Sequence, residues 1–282
     1  MRLVNFRHDG RVEFGIEREG FVRSLAAAGY ASDASFFAAG DKAINAAHDL
    51  AAQPCAAQIP LSEVQILAPV LHPGKILCVG LNYRDHAIES KMAIPEVPTI
   101  FLKLPNAVTG PDSDILLPRS SAQPDYEAEF AAVIGRGGKN ILREDWKQHV
   151  LGYTILNDVS ARDVQLATSQ WTLGKSFDTF APIGPAIITV DEIGDPHSLD
   201  IQLAINGEVL QHSNTRHLIF KLPDLIAHLS SVITLEPGDI ISTGTPAGVG
   251  LGRSPQRWLK PGDEIVITIE RIGQLRNRTV AA

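Results

Sequence analysis

Sulfur is scarce in this sequence: of 282 residues, two are cysteine and two are methionine. Cys55 and Cys78 form no CxxC or other zinc spacing, which removes the common structural-zinc motifs. They read as small buried hydrophobes in a reducing compartment rather than as a disulfide. No apolar run approaches the length of a membrane-spanning helix. The opening stretch, MRLVNFRHDGRVEFG, is charged early and lacks an apolar core, so no secretory leader is expected. Together these absences predict a cytoplasmic protein with no membrane partner. Basic residues are also the minority, 25 against 32 acidic, for a formal net charge of −7. No basic cluster is interleaved with aromatics, so nucleic acid is not an expected partner. Nor does any GKS or GKT follow a glycine-rich stretch to make a phosphate loop.

What is present is ordinary globular material, 44% hydrophobic and 20% charged, punctuated by 23 glycines and 18 prolines. Residues 2–6, 11–17 and 21–25 read as strands separated by Asp9-Gly10 and Glu19-Gly20 turns, followed by an Ala-rich helix over 35–52. Residues 54–69, with proline at both ends, read as a linker. The expected division is a small N-terminal domain, 1–66, and a main domain, 67–282. In the latter, strands are expected over 76–79, 99–103, 114–117, 125–135, 152–157, 185–190, 201–206, 208–212, 239–243, 264–271 and 274–280. Helices are expected over 145–150, 160–169, 223–232 and from an Asn82 cap to about 92. Asn206-Gly207 marks a tight hairpin. Strand–helix alternation is missing, so the fold class is β-rich α+β, a roll or sandwich with short helices, rather than a doubly wound sheet.

The chemistry gathers first in Asp125-Tyr126-Glu127-Ala128-Glu129-Phe130. On a strand, Glu127 and Glu129 share one face while Tyr126, Ala128, Phe130 and Ala132 share the other. Two adjacent carboxylates repel unless a cation lies between them, and a hard divalent ion with oxygen ligands suits the position. An isolated ExE is more often a solvated strand face. Asp158 shifts the balance, because it ends an apolar strand where a lone carboxylate is costly. Its alternative is a cap for the following helix.

At this point the sequence resembles the fumarylacetoacetate hydrolase family, over about residues 75 to 280. Five blocks carry the resemblance in order: GLNYRDHAIE (80–89), PDYEAEFAAVIG (124–135), LNDVSARDVQ (156–165), TLGKSFDTFAPIGP (172–185) and STGTPAGVG (242–250). It is similar in particular to acylpyruvate hydrolases and oxaloacetate decarboxylases. The resemblance implies a mixed β-roll core, a homodimer, and an acidic metal triad at Glu127, Glu129 and Asp158. That triad would hold Mg²⁺ or Mn²⁺, with Ca²⁺ able to stand in within crystals.

The resemblance also implies roles for other residues. His86 and Glu89, three apart on one helix face, would form the base pair that activates water under a closing lid. Lys175 would stabilise a developing oxyanion. Arg162, Gln165 and Thr245 would bind the substrate's oxygens, Arg162 through its planar fork. On spacing alone each of these is as readily a surface or loop residue. His72, His149, His197, His212 and His217 lack metal-like partners and read as structural or surface residues. The expected activity is hydrolysis of a C–C bond in a 2,4-dioxo acid of the acylpyruvate or fumarylpyruvate type, giving pyruvate and a carboxylic acid. Oxaloacetate decarboxylation and isomerisation of a 2-oxo acid are the alternatives on the same site. A non-catalytic binding member is a weaker one, since mere binding needs no base.

Overall fold

The computed structural model describes residues 1–53, 57–89 and 93–282. A large mixed sheet runs through it. The strands Phe21–Ser24, Arg11–Arg18 and Arg2–His8 form an N-terminal meander. Arg2–His8 then pairs antiparallel with Ala181–Thr189, with Arg2 opposite Ile188. The sheet continues through Val150–Asn157, Ala128–Ile134, Ile240–Ser242, Ile76–Gly80 and the edge strand Thr99–Lys103. Backbone pairing therefore crosses from the N-terminal segment into the core. The β-rich α+β class expected from the sequence is the observed one.

A second, five-stranded sheet contains Glu208–Asn214, Asp200–Ile205, Glu264–Ile269, Gly273–Ala281 and Asp114–Leu117. It packs on the large sheet through contacts of Asp200–Ile205 with Ala128–Ile134 and of Glu264–Ile269 with Val150–Asn157. Its first hairpin turns at Asn206 (φ 52°) and Gly207 (φ 83°). Two consecutive positive φ values are what a type I′ turn requires, and Asn-Gly supplies them at least strain.

Several local expectations need correction. The N-terminal helix is two helices, Asp33–Ala39 and Asp41–Ala52, broken at Gly40. Ser32 caps the first, a position hidden by the Ala-rich run that follows. Residues 54–69 are more than a linker: Ile59–Pro60 pairs with the Phe21 strand and Gln65–Ile66 pairs with the first strand. Residues 54–56, including Cys55, lie outside the described residues. Asn82 does not cap the next helix, which runs Arg84–Glu89. Its Nδ2 donates to Phe220 O (2.9 Å) and Thr243 O (2.8 Å), and its Oδ1 accepts from Phe220 N (2.7 Å). A fully buried amide thus pins the residues before that helix to the core. The expected continuation to about residue 92 falls outside the described residues. Residues 160–169 hold a two-residue strand, Ser160–Ala161, and a single turn of helix, Arg162–Gln165. Arg143–Gln148 is a 3₁₀ helix. Among the described residues no helix is long and apolar enough to cross a membrane.

Candidate active site

The acidic residues converge because two neighbouring strands deliver them. Ala128–Ile134 pairs antiparallel with Val150–Asn157, with Ala128 opposite Asn157. One step further out, Asp158 N donates to Glu127 O at 3.0 Å, so Glu127 and Asp158 face each other. Glu129, two residues along, lies on the same face. One carboxylate oxygen from each of Glu127, Glu129 and Asp158 lies within 4.8 Å of the other two. The alternative of a solvated strand face is excluded: Ala128–Ile134 is buried along its whole length, so its polar face is an interior face. Glu127 itself precedes this strand rather than lying within it.

Three buried carboxylates need compensating charge. Lys175 Nζ donates to Glu127 Oε2 (2.8 Å) and Asp158 Oδ2 (2.7 Å). Arg162 donates through Nη2 to Glu127 Oε1 (2.5 Å), through Nε to Asp125 Oδ2 (2.8 Å) and through Nη1 to Gln165 Oε1 (3.0 Å). Lys103, at the end of the edge strand, donates to Asp158 Oδ1 (2.6 Å) and Val159 O (3.0 Å). Burial would raise Glu127, but Lys175 and Arg162 outweigh it and hold the carboxyl below the usual range. Glu129 goes the other way. Burial and the charges of Asp158 and Glu127 push it up to about 8. Its Oε2 accepts from Ser242 Oγ (2.5 Å) and Gly244 N (3.0 Å), while among the described residues no protein donor reaches its Oε1. An all-oxygen donor set with one carboxylate left short of positive charge fits a hard divalent cation.

Facing the triad across a cavity of about 380 Å³ is the helix Arg84–Glu89. His86 Nδ1 lies 3.4 Å from Glu89 Oε2, and Glu89 accepts from Gly248 N with both oxygens, at 3.0 and 3.1 Å. The carboxylate so orients the ring, leaving Nε2 as the nitrogen without this partner. Gln165 and Thr245 also line the cavity. The Thr245 hydroxyl is engaged elsewhere, donating to Ala128 O (3.0 Å) and accepting from Gln211 Nε2 (2.9 Å). All nine residues singled out in the sequence thus meet at one place, eight of them buried and Glu89 partly so.

The sequence reading missed Asp125 and Lys103. Asp125 is fully buried and accepts from Gly250 N (2.7 Å), Leu251 N (3.0 Å) and Tyr126 N (2.8 Å) besides Arg162. It joins Arg162 to the loop that receives Glu89. A third acid in DYEAEF, and a lysine closing the apolar run Thr-Ile-Phe-Leu-Lys, were the available signals. Of the other histidines, His197 is buried against Trp146, their rings 5.7 Å apart, in keeping with a structural role.

A family model described as fumarylacetoacetate (FAA) hydrolase C-terminal matches residues 75–280. The chain belongs to the fumarylacetoacetate hydrolase family. A Rattus norvegicus relative, oxaloacetate tautomerase Fahd2a, mitochondrial, is 49% identical over 235 residues, 82% of this chain and 75% of that one. Among solved structures, 2-hydroxyhepta-2,4-diene-1,7-dioate isomerase from Mycobacterium marinum is 37% identical with a TM-score of 0.81, covering 100% of this chain and 98% of that one. Maleylpyruvate hydrolase from Sphingobium sp. SYK-6, in complex with manganese(II) ion and pyruvate, is 33% identical with a TM-score of 0.84 over 100% of both chains. Members of this family are enzymes, and so is this chain. The expectation of a cytoplasmic protein is corrected by these relatives: the rat protein and its matching counterparts in Bos taurus and Homo sapiens are mitochondrial by name. Scarce cysteine and the lack of a long apolar run were the signals behind that expectation. They do not separate the cytosol from the interior of an organelle.

Proposed function

We propose that the chain is a divalent-metal-dependent enzyme that moves a proton at the carbon beside the keto group of a small 2-oxo acid. Keto–enol tautomerisation of oxaloacetate is its leading reaction. One observation carries the proposal: the His86–Glu89 pair lines the same cavity as Glu127 and Glu129, whose carboxylates cluster with that of buried Asp158. The three carboxylates would hold Mg²⁺ or Mn²⁺, which when bound supplies Lewis-acid polarisation of the substrate's carboxylate and keto oxygens. His86, its tautomer held by Glu89, takes the proton from C3 and the electron pair moves onto the C2 oxygen. Lys175 faces that developing charge from a buried position, where an ammonium is worth most. Arg162, Gln165 and backbone N–H groups near Thr245 orient the substrate oxygens. Delivery of that proton from His86 to the C2 oxygen gives the enol, and the reverse path gives the keto form.

The relatives' names support tautomerisation as the first reading. Hydrolysis of a 2,4-dioxo acid, expected from the sequence, is the second reading, and the cavity favours it. Oxaloacetate has nine non-hydrogen atoms, each needing less than the ~30 Å³ share of a liquid water, and so leaves part of about 380 Å³ unfilled. In that reaction His86 takes a proton from water. The resulting hydroxide adds to the C4 carbonyl, the C3–C4 bond breaks, and the pair left on C3 is delocalised to the C2 oxygen before protonation to pyruvate.

The test is a substrate panel of oxaloacetate, acetylpyruvate and fumarylpyruvate with Mg²⁺, with Mn²⁺ and with EDTA, read by ultraviolet absorbance and mass spectrometry. Tautomerisation changes the enol absorbance at constant mass, hydrolysis yields pyruvate and an acid, and decarboxylation yields CO₂. Metal-dependent turnover of at least one substrate is expected. Silence on all of them with tight metal binding would favour a binding protein instead.

The proposal extends to assembly. The edge strand Thr99–Lys103, with Leu102 and Leu104 exposed, offers an apolar edge for a homodimer, which light scattering would read as twice the 30.4 kDa chain mass. Residues 1–66 are kept as a small N-terminal domain because the family match begins at residue 75. Limited proteolysis should then leave a fragment starting near residue 67.

A further inference from the structure

The cavity has two kinds of wall. The triad side is saturated with charge. The remainder is formed largely by Leu81, Phe101, Leu166, Trp171 and Leu251. Phe101 and Trp171 meet edge to face, ring centroids 5.5 Å apart at 66°. Both are anchored to the catalytic groups. Phe101 sits on the edge strand that ends in Lys103, and Lys175 Nζ lies 4.9 Å from its ring centre. Trp171 immediately precedes the helical turn Thr172–Lys175.

Trp171 leans across Gly80 so closely that a Cβ there would lie 2.6 Å from Cζ3 of the indole. Any side chain at residue 80 would force the indole aside. The aromatic wall therefore depends on a glycine at the end of Ile76–Gly80.

Electrostatics decide what that wall can receive. Among the described residues the cationic side chains lining the cavity are Arg162 and Lys175, with His86 as a third when protonated. Arg162 spends its donors on Asp125, Glu127 and Gln165. Lys175 spends two on Glu127 and Asp158 and turns toward the Phe101 ring. Lys175 meets the wall on its Phe101 side, and among the described residues no cation lies over the Trp171 ring. A carboxylate placed against the Trp171 ring face would lose its water without gaining a cationic partner, at considerable cost.

We infer that the Phe101–Trp171 wall is the specificity determinant for the far end of the substrate, selecting an apolar, preferably flat, substituent over a second carboxylate. This rests on the 2-oxo acid reading above and names a substrate class for it: 2-oxo acids carrying an apolar or aromatic group beyond C3. Oxaloacetate carries no apolar group beyond C3 and so does not exploit the wall.

Binding separates this inference from the reaction. Dissociation constants are measured by calorimetry at saturating Mg²⁺ for pyruvate, 2-oxoglutarate and 2-oxo-4-phenylbutanoate, and each affinity is expressed relative to pyruvate within the same protein. Wild type should favour the phenyl acid by about tenfold or more, the size of an aromatic contact plus its buried area, and should show no gain for 2-oxoglutarate. Trp171→Ala should cut the phenyl advantage to about threefold or less. Trp171→Lys, which puts a cation into the wall, should create an advantage for 2-oxoglutarate of about fivefold or more. If 2-oxoglutarate gains as much as the phenyl acid in wild type, or Trp171→Ala leaves the phenyl advantage intact, the inference is overturned while pyruvate binding keeps the proposed function alive. Absence of binding by any 2-oxo acid overturns that function and the inference with it.

Discussion

Replacing Lys175 by methionine is the most informative single perturbation, because it should affect stability and turnover through different physics. Four buried carboxylates, Asp125, Glu127, Glu129 and Asp158, face three buried cations, Arg162, Lys175 and Lys103. Lys175 bridges two of the carboxylates at 2.8 and 2.7 Å. Methionine fills nearly the same volume, so little cavity is created, but the anionic excess grows by one charge. Removing one partner of a buried ion pair costs about 3–5 kcal/mol. At roughly 2–4 °C per kcal/mol for a chain of this size, the melting temperature in EDTA should fall by roughly 10 °C. A divalent cation supplies the missing charge, so Mg²⁺ or Mn²⁺ should raise the midpoint further in the variant than in wild type. Occupancy at a hundred times the dissociation constant adds ~2.7 kcal/mol. Turnover should nevertheless drop by about a hundred- to a thousandfold, because the ammonium proposed to meet the developing oxyanion is gone. Paired thermal scans with EDTA and with metal, alongside the oxaloacetate assay, measure both. An unchanged melting temperature in EDTA together with less than a tenfold loss of turnover would refute this account of the charge cluster.

His86→Ala should lower tautomerisation and hydrolysis by about a hundred- to ten-thousandfold while leaving metal affinity intact, and should spare part of any decarboxylation, which needs no base. Equal loss of every activity would contradict that division. His197 carries a prediction about pH: burial lowers its pKa despite Asp195, and its Nε2 accepts from Leu222 N at 3.2 Å. The folded state therefore resists protonation more than the unfolded chain does. The His197 contribution is complete above the unfolded value of about 6.5 and is lost as pH falls through it toward the lower folded value. Urea midpoints at pH 7.5 and 5.5 should differ less in His197→Gln than in wild type.

The site was legible in the sequence and its surroundings were not, for identifiable reasons. Glu127, Glu129 and Asp158 could be linked because strand alternation and a strand end are local properties, and the five ordered blocks supplied the family. The interior setting of that face was invisible, since it depends on flanking by Val150–Asn157 and Ile240–Ser242. Lys103 and Asp125 act through partners 55 and 37 residues away. Asn82 looked like a helix cap because Asn before a helical stretch is a local signal, yet its partners at Thr243 and Phe220 are tertiary. The pairing of Arg2–His8 with Ala181–Thr189 left no sign in the sequence, because only the local turns of the N-terminal segment are readable there.

The account stands on one cation shared by three carboxylates, and a manganese titration of the metal-stripped protein, followed by calorimetry, tests it most directly. It predicts one Mn²⁺ per chain in wild type and binding weakened by at least about tenfold in Asp158→Asn and in Glu129→Gln. No stoichiometric Mn²⁺ in wild type, or an affinity in both variants equal to that of wild type, would contradict it.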